Sequence, residues 1–192
     1  MNIIEIKQYD VVNGIGIRTS IWLAGCNNHC KKCWSPNTWN PNQGNPYKDV
    51  KNEILGYLQD GKTDGVSILG GDPLYSVFEE DNYDDLLDLL KTCKRYNKQV
   101  WLWTGYKFED IVKKCPVILG YIDCLIDGKF DVNQRDLNLF YRGSSNQRII
   151  FFNKPLNAKD FKFKYYVATY VNDVSIGGTH YLMTEYNKYS KV

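Results

Sequence analysis

The sequence predicts an α/β fold built on a parallel sheet. Three observations carry that expectation. Short β-rich runs recur along the 192 residues, with helical patterns between several of them. No internal repeat or low-complexity linker breaks the alternation. Four of the runs also end in glycine-rich or polar turns, where parallel sheets gather their ligands.

The elements follow in order. SIWLAG (20–25) reads as a strand running into a cysteine loop, which continues through Pro36, Asn37, Pro41, Asn42, Gly44 and Pro46, all turn formers. VKNEILGYLQD (50–60) sets Val50, Ile54, Leu55 and Leu58 at helical spacing. GVSILGG (65–71) is the next strand. A helix over about 82–96 turns Leu86, Leu87, Leu89, Leu90 and Cys93 inward. QVWLWTG (99–105) is a third strand, KFEDIVKK (107–114) a short helix and YIDCLIDG (121–128) a fourth strand. The strand ends carry the cysteine loop, GGDP (70–73), TGY (104–106) and DGK (127–129). Beyond residue 150 the pattern changes. FKFKYYV (161–167) alternates apolar and polar residues as a half-exposed strand does, and THYLMTEY (179–186) reads as another strand.

Composition narrows the class. Hydrophobic residues make up 43% and charged residues 24%, which excludes a disordered chain. Lys plus Arg number 24 against 22 Asp plus Glu, so the strong basic bias of a nucleic-acid binder is missing and no such partner is expected. MNIIEIKQYD lacks the apolar core of a secretory signal, and no run reaches membrane-spanning length. The expectation is a cytoplasmic protein without a membrane partner. In that compartment six cysteines read as thiols or metal ligands rather than disulfides.

GCNNHCKKCW (25–34) places Cys26, Cys30 and Cys33 in a C-x3-C-x2-C spacing with no fourth cysteine nearby. Structural zinc takes four ligands. His29 adjoins Cys30, and neighbouring residues rarely point at one ion; His180 is distant in sequence. An electron-transfer [4Fe–4S] centre takes four thiolates. Cys93, Cys115 and Cys124 are the candidates for the fourth, but Cys93 reads as the inner face of a helix and Cys124 lies in an apolar strand. A cluster held by three thiolates leaves one iron open to a small molecule, and this option fits best. In GGDP, paired glycines let backbone approach a ligand closely.

The cysteine spacing resembles that of the radical S-adenosylmethionine (SAM) superfamily, and GGDP resembles its GGEP-type motif with Asp for Glu. Over a longer span, VNGIGIRTSIWLAGCNNHCKKCWSPNTW (12–39) is similar to the anaerobic ribonucleoside-triphosphate reductase activating proteins. The shared blocks are the Asn13, Gly14, Gly16 and Arg18 opening, the cysteine loop and the Thr38–Trp39 pair. GGDPLY (70–75), WLWTGYKFEDI (101–111), IDGKF (126–130) and RGSSNQR (142–148) continue the likeness. It covers about residues 1–150.

That resemblance implies a partial, open (β/α) barrel of the radical SAM type over 1–150, with a C-terminal extension over 151–192. It implies a [4Fe–4S] cluster on Cys26, Cys30 and Cys33 that cleaves SAM to methionine and a 5′-deoxyadenosyl radical. The radical would take a hydrogen atom from a backbone glycine of the large reductase subunit. Reduced flavodoxin or a similar donor would supply the electron. Lys32, Cys33 and Trp34 would line SAM, with Trp34 near the adenine. Gly71 would meet the amino or carboxylate end, with Gly70 and Asp72 shaping the turn. Lys129, of the D-x-K pair with Asp127, would balance a carboxylate. Trp34 stands where the family often has Tyr, and Ser35 where it commonly has Asn. Trp103 stands where related activases carry Asp, which argues against a cation site. Gly14, Gly16 and Arg18 read as a structural turn. The competing readings are another radical SAM enzyme, either an activase of a different glycyl-radical enzyme or one like 7-carboxy-7-deazaguanine synthase, or a non-catalytic metal module with a fourth protein ligand.

Overall fold

The computed structural model describes residues 1–152, 174–176 and 179–181. Its strands are β1 (Asn2–Asp10), β2 (Arg18–Leu23), β3 (Asn45–Pro46), β4 (Gly65–Gly70), β5 (Gln99–Trp103), β6 (Cys124–Asp127) and β7 (Arg148–Phe151). The helices are α1 (Tyr47–Gln59), α2 (Tyr75–Glu79), α3 (Asp84–Arg95) and α4 (Phe108–Lys114). All seven strands form one sheet in the order β3-β1-β2-β4-β5-β6-β7.

The middle of that sheet is as expected: β2, β4, β5 and β6 run parallel in sequence order. Its edges differ. β1 pairs antiparallel with β2, and β7 pairs antiparallel with β6. The sheet is therefore mixed rather than wholly parallel, and it does not close, because β3 and β7 lie at opposite edges. The fourth strand is also shorter than expected. Residues 116–121 form a 3-10 turn opened by Pro116, whose fixed φ suits a first helical position.

Strand alternation sorts the side chains. Val66, Ile68, Val100, Leu102 and Leu125 are buried in the core with Ile54 and Leu58 of α1 and Leu86, Leu89, Leu90 and Cys93 of α3. Each such Leu or Ile contributes about 1.5–3 kcal/mol by burial. Helix α3 adds charge order, with Asp84 and Asp85 in its first turn and Lys94 and Arg95 in its last, matching the helix dipole.

The lower end of the sheet is closed by Arg18, which is fully buried. Its guanidinium donates to Ser67 Oγ at 2.6 Å, Val66 O at 2.8 Å and Gln99 O at 3.1 Å, and lies 5.2 Å from the Trp101 ring centroid. Burial lowers its pKa to about 10. The N-G-x-G-x-R opening is thus structural: Arg18 stitches the starts of β4 and β5, away from the strand ends that carry the site.

Beyond the sheet, β8 (Val174–Ile176) and β9 (Thr179–Tyr181) form an antiparallel pair. The strand expected over 161–167 lies outside the described residues. The one expected over 179–186 is a strand at 179–181, and its remainder lies outside them. No described helix is long and apolar enough to cross a membrane.

Candidate functional site

All four strand-end turns meet at one cavity of about 630 Å³. The cysteine loop contributes Cys26, Cys30, Cys33 and Trp34, and the next turn Gly70, Gly71 and Asp72. The TGY turn contributes Thr104 and Gly105, and the DGK turn Gly128. Seven of the nine sequence-chosen site residues therefore line a single space. Lys32 and Lys129 are solvent-exposed and do not line it.

Backbone bonds set the cysteine loop. Gly25 N–H donates to Thr38 O at 2.8 Å and Cys26 N–H to Trp39 O at 3.1 Å, so the Thr38–Trp39 pair anchors the loop's start. Within it, His29 (φ 43°) and Lys32 (φ 58°) adopt the left-handed conformation, coiling the chain tightly. Cys33 N–H closes back on Cys30 O at 3.0 Å, and Ser35 N–H donates to Cys33 Sγ at 3.4 Å. The His29 ring packs against Trp39, with centroids 4.7 Å apart, and does not join the cysteines around the cavity.

The other thiols are elsewhere. Cys93, Cys115 and Cys124 are buried in the core, and none lines the cavity. Burial pushes Cys93 up to about 12 and Cys115 up to about 11, and raises Cys124 as well, so these thiols stay protonated and are poor ligands. Around the cavity there is no fourth thiol and no imidazole among the described residues. Nor do three His, Cys, Asp or Glu groups close on a point, as one metal ion requires, among those residues. Three thiols spread around a cavity fit a four-iron cluster, in which each thiolate binds a different iron.

The GGDP turn is packed too closely for side chains. A Cβ on Gly70, whose φ is +117°, would lie 2.5 Å from Leu23 N and O. One on Gly71 would lie 2.4 Å from Gly25 O. The turn is pressed against the cysteine loop through Gly71 N–H to Leu23 O (2.8 Å) and Asp72 N–H to Gly25 O (2.7 Å). Asp72 is buried and its carboxylate accepts four hydrogen bonds: Thr104 Oγ1 at 2.7 Å, Gly105 N at 2.8 Å, Asn28 Nδ2 at 2.9 Å and Leu74 N at 3.0 Å. Burial outweighs these donors and lifts its pKa to about 6. Asp72 thus joins three strand-end turns.

The DGK turn behaves differently from the D-x-K reading. Asp127 is fully buried on the helix side of β6, where it accepts the Phe108 N–H at 2.8 Å at the start of α4. Arg148 neutralises it, donating through Nε at 2.9 Å, and also grips Glu109 with two bonds of 2.8 Å. The RGSSNQR run, which had no role in the sequence, clamps this turn. Gln147 Nε2 donates to Gly128 O at 2.9 Å, Asn146 Nδ2 to Lys129 O at 2.8 Å, and Gln147 Oε1 accepts Gly143 N–H at 2.8 Å. Its position as a separate polar block gave the only signal. Asn28 gave none.

A family model described as "4Fe-4S single cluster domain" matches residues 12–150. The anaerobic ribonucleoside-triphosphate reductase-activating protein of Haemophilus influenzae is 38% identical over 154 residues, 78% of this chain and 97% of the relative. That of Escherichia coli K12 is 36% identical over 152 residues, 77% of this chain and 96% of the relative. That of Enterobacteria phage T4 is 38% identical over 152 residues, covering 78% and 93%. The chain belongs to the family of anaerobic ribonucleoside-triphosphate reductase-activating proteins.

Proposed function

We infer that this chain activates an anaerobic ribonucleoside-triphosphate reductase by generating a glycyl radical on its large subunit. The observation that carries the reading is the convergence of three cysteines and the GGDP turn on one cavity. Its volume of about 630 Å³ lies within the range of small-molecule sites and suits SAM. Residues 1–150 act as the catalytic domain, a partial, open (β/α) barrel of the radical SAM type, and 151–192 as its extension.

Cys26, Cys30 and Cys33 hold the cluster. Bound there, a cluster would supply the electron for cleavage of SAM to methionine and a 5′-deoxyadenosyl radical, the species that would take the glycine hydrogen atom. The chain's own residues bind and shield. Gly71, without a side chain, lets backbone meet the amino-acid end of SAM, and Gly70 and Asp72 hold that turn against the cysteine loop. Trp34 offers its ring to the adenine, with Arg135 Cζ 4.6 Å from the ring centroid. Lys32 presents loop backbone, and Lys129, whose charge bears on Cys30, offsets negative charge beside the cavity.

A protein substrate needs an open, adhesive rim. Val12 (70% exposed), Trp34 (67%) and Leu137 (76%) all border the cavity, an exposed apolar set of the kind that marks interaction sites. Reductive sulfonium cleavage needs the low end of the roughly −700 to +450 mV range of iron–sulfur potentials, so reduced flavodoxin or a similar donor serves as partner. The test is anaerobic reconstitution with iron and sulfide, then reduction, SAM and the reductase. A glycyl radical signal on the reductase supports the reading. SAM cleavage that yields no radical on the reductase would redirect it to another radical SAM activity.

A further inference from the structure

Trp34 ends the cysteine loop as an exposed indole: it lines the cavity yet remains 67% exposed. Arg135 reaches it from the connection between β6 and β7, with Cζ 4.6 Å from the ring centroid. An indole has two faces, and the guanidinium covers one. Trp34 lines the cavity and Arg135 does not, so the cation backs the ring from outside and leaves the other face open. Arg135 is itself carried on a fixed turn. Val132–Gln134 form a 3-10 turn in which Asp131 Oδ1 accepts the Asn133 N–H at 2.9 Å, while Gln134 Nε2 donates to Asp131 Oδ2 at 2.8 Å. Ser145 N–H closes on Gln134 O at 2.9 Å, and Arg135 pairs with Ser144 in an antiparallel bridge. The Arg135 guanidinium forms no ion pair among the described residues, so the Trp34 ring is its partner.

We propose that Arg135 is a positioning residue for SAM: stacked behind Trp34, it holds the indole with its free face to the cavity, set for the adenine. This rests on the reading that Trp34 meets the adenine, and adds the residue that orients it. Left alone, an exposed indole at the end of a loop samples several rotamers, and ordering it on binding costs affinity. A guanidinium parked on one face removes much of that cost in advance. A planar guanidinium suits the role better than an ammonium, since it stacks on an aromatic face. Charge alone predicts the opposite effect. SAM carries a sulfonium and an ammonium against a single carboxylate, so it is a net cation, and removing a nearby arginine would by charge tighten its binding. A weakened SAM complex in an Arg135 variant therefore reports the stacked ring and not the field.

The test measures SAM binding rather than turnover. Full-length, cluster-loaded protein is kept oxidised so that SAM stays intact, and is titrated by anaerobic equilibrium dialysis. The chains compared are wild type, Arg135→Gln, Arg135→Lys, Trp34→Ala and the Trp34→Ala, Arg135→Gln double variant. Arg135→Gln should weaken SAM about two- to fivefold, the size of an exposed cation–π contact, with iron content and circular dichroism at wild-type values. Arg135→Lys should recover part of the loss. Methionine, which lacks the adenine, should bind equally to wild type and Arg135→Gln. In the Trp34→Ala background Arg135→Gln should add nothing further. Wild-type or tighter SAM binding by Arg135→Gln, beside weakened binding by Trp34→Ala, overturns the proposal and leaves the Trp34 reading standing. So does an equal loss for methionine, or an equal loss in the Trp34→Ala background. Wild-type SAM affinity in Trp34→Ala, or wild-type protein that binds no SAM, overturns the Trp34 reading and the proposal with it.

Discussion

Arg148 donates through Nε to Asp127 at 2.9 Å, joining the RGSSNQR run to the DGK turn. The carboxylate is fully buried, and the same guanidinium holds Glu109 on α4. Removing one partner of a buried pair strands the other's charge and costs about 3–5 kcal/mol. Arg148→Met should therefore destabilise the apo-protein by several kcal/mol, on that principle, in urea unfolding. A loss within about 0.5 kcal/mol, the size of an ordinary surface substitution, would show that the pair is not structural.

The pH dependence has two opposed parts. Glu109 is held down at about 2 by Arg148, below its ordinary 4.5. Its contribution is present above about pH 4.5 and is lost as pH falls towards 2. Asp72 is raised to about 6 from 3.8 by burial. The folded state then binds its proton more tightly, so its contribution is greatest below about pH 4, declines as pH rises to about 6 and stays low above that. Wild-type apo-protein should gain on the order of 2–3 kcal/mol relative to Asp72→Asn between pH 7 and 4. Parallel unfolding curves across that window check it, and a constant difference would contradict it.

The six cysteines should separate cleanly. Cys26→Ala should abolish SAM cleavage and the brown absorbance while circular dichroism stays near wild type. Cys93→Ala, on the buried face of α3, should keep iron content and lower stability by about 1–2 kcal/mol, as a small core truncation does. Iron analysis of the two variants side by side is the check.

The exposed rim offers a test of substrate type. Leu137→Asp should leave SAM cleavage without the reductase unchanged and reduce glycyl-radical yield at least tenfold. Equal yields would remove the rim from substrate docking.

The strand ends were legible in the sequence because glycines and cysteines at the ends of apolar runs have few other uses. The parallel middle followed from the same runs. β1 was not, although Ile3 is buried in the core, because the second half of NIIEIKQYD is polar and shows no apolar alternation. β7 was not, because RIIF is too short for any period to show. Asp127 belongs to the end of β6 rather than to the turn that follows it. Strand alternation sets Asp127 on the helix side with Leu125, so only Gly128 of that turn reaches the cavity. The Asn28–Asp72 bond joins residues 44 apart, and no local pattern in the sequence announces it.

The most direct measurement is EPR of the reductase after anaerobic incubation with reduced, cluster-loaded protein and SAM. The account predicts a glycyl radical doublet, matched by 5′-deoxyadenosine in proportion and absent with Cys26→Ala. A fully loaded cluster that cleaves SAM yet leaves the reductase without a radical, or an undiminished signal with Cys26→Ala, would contradict it.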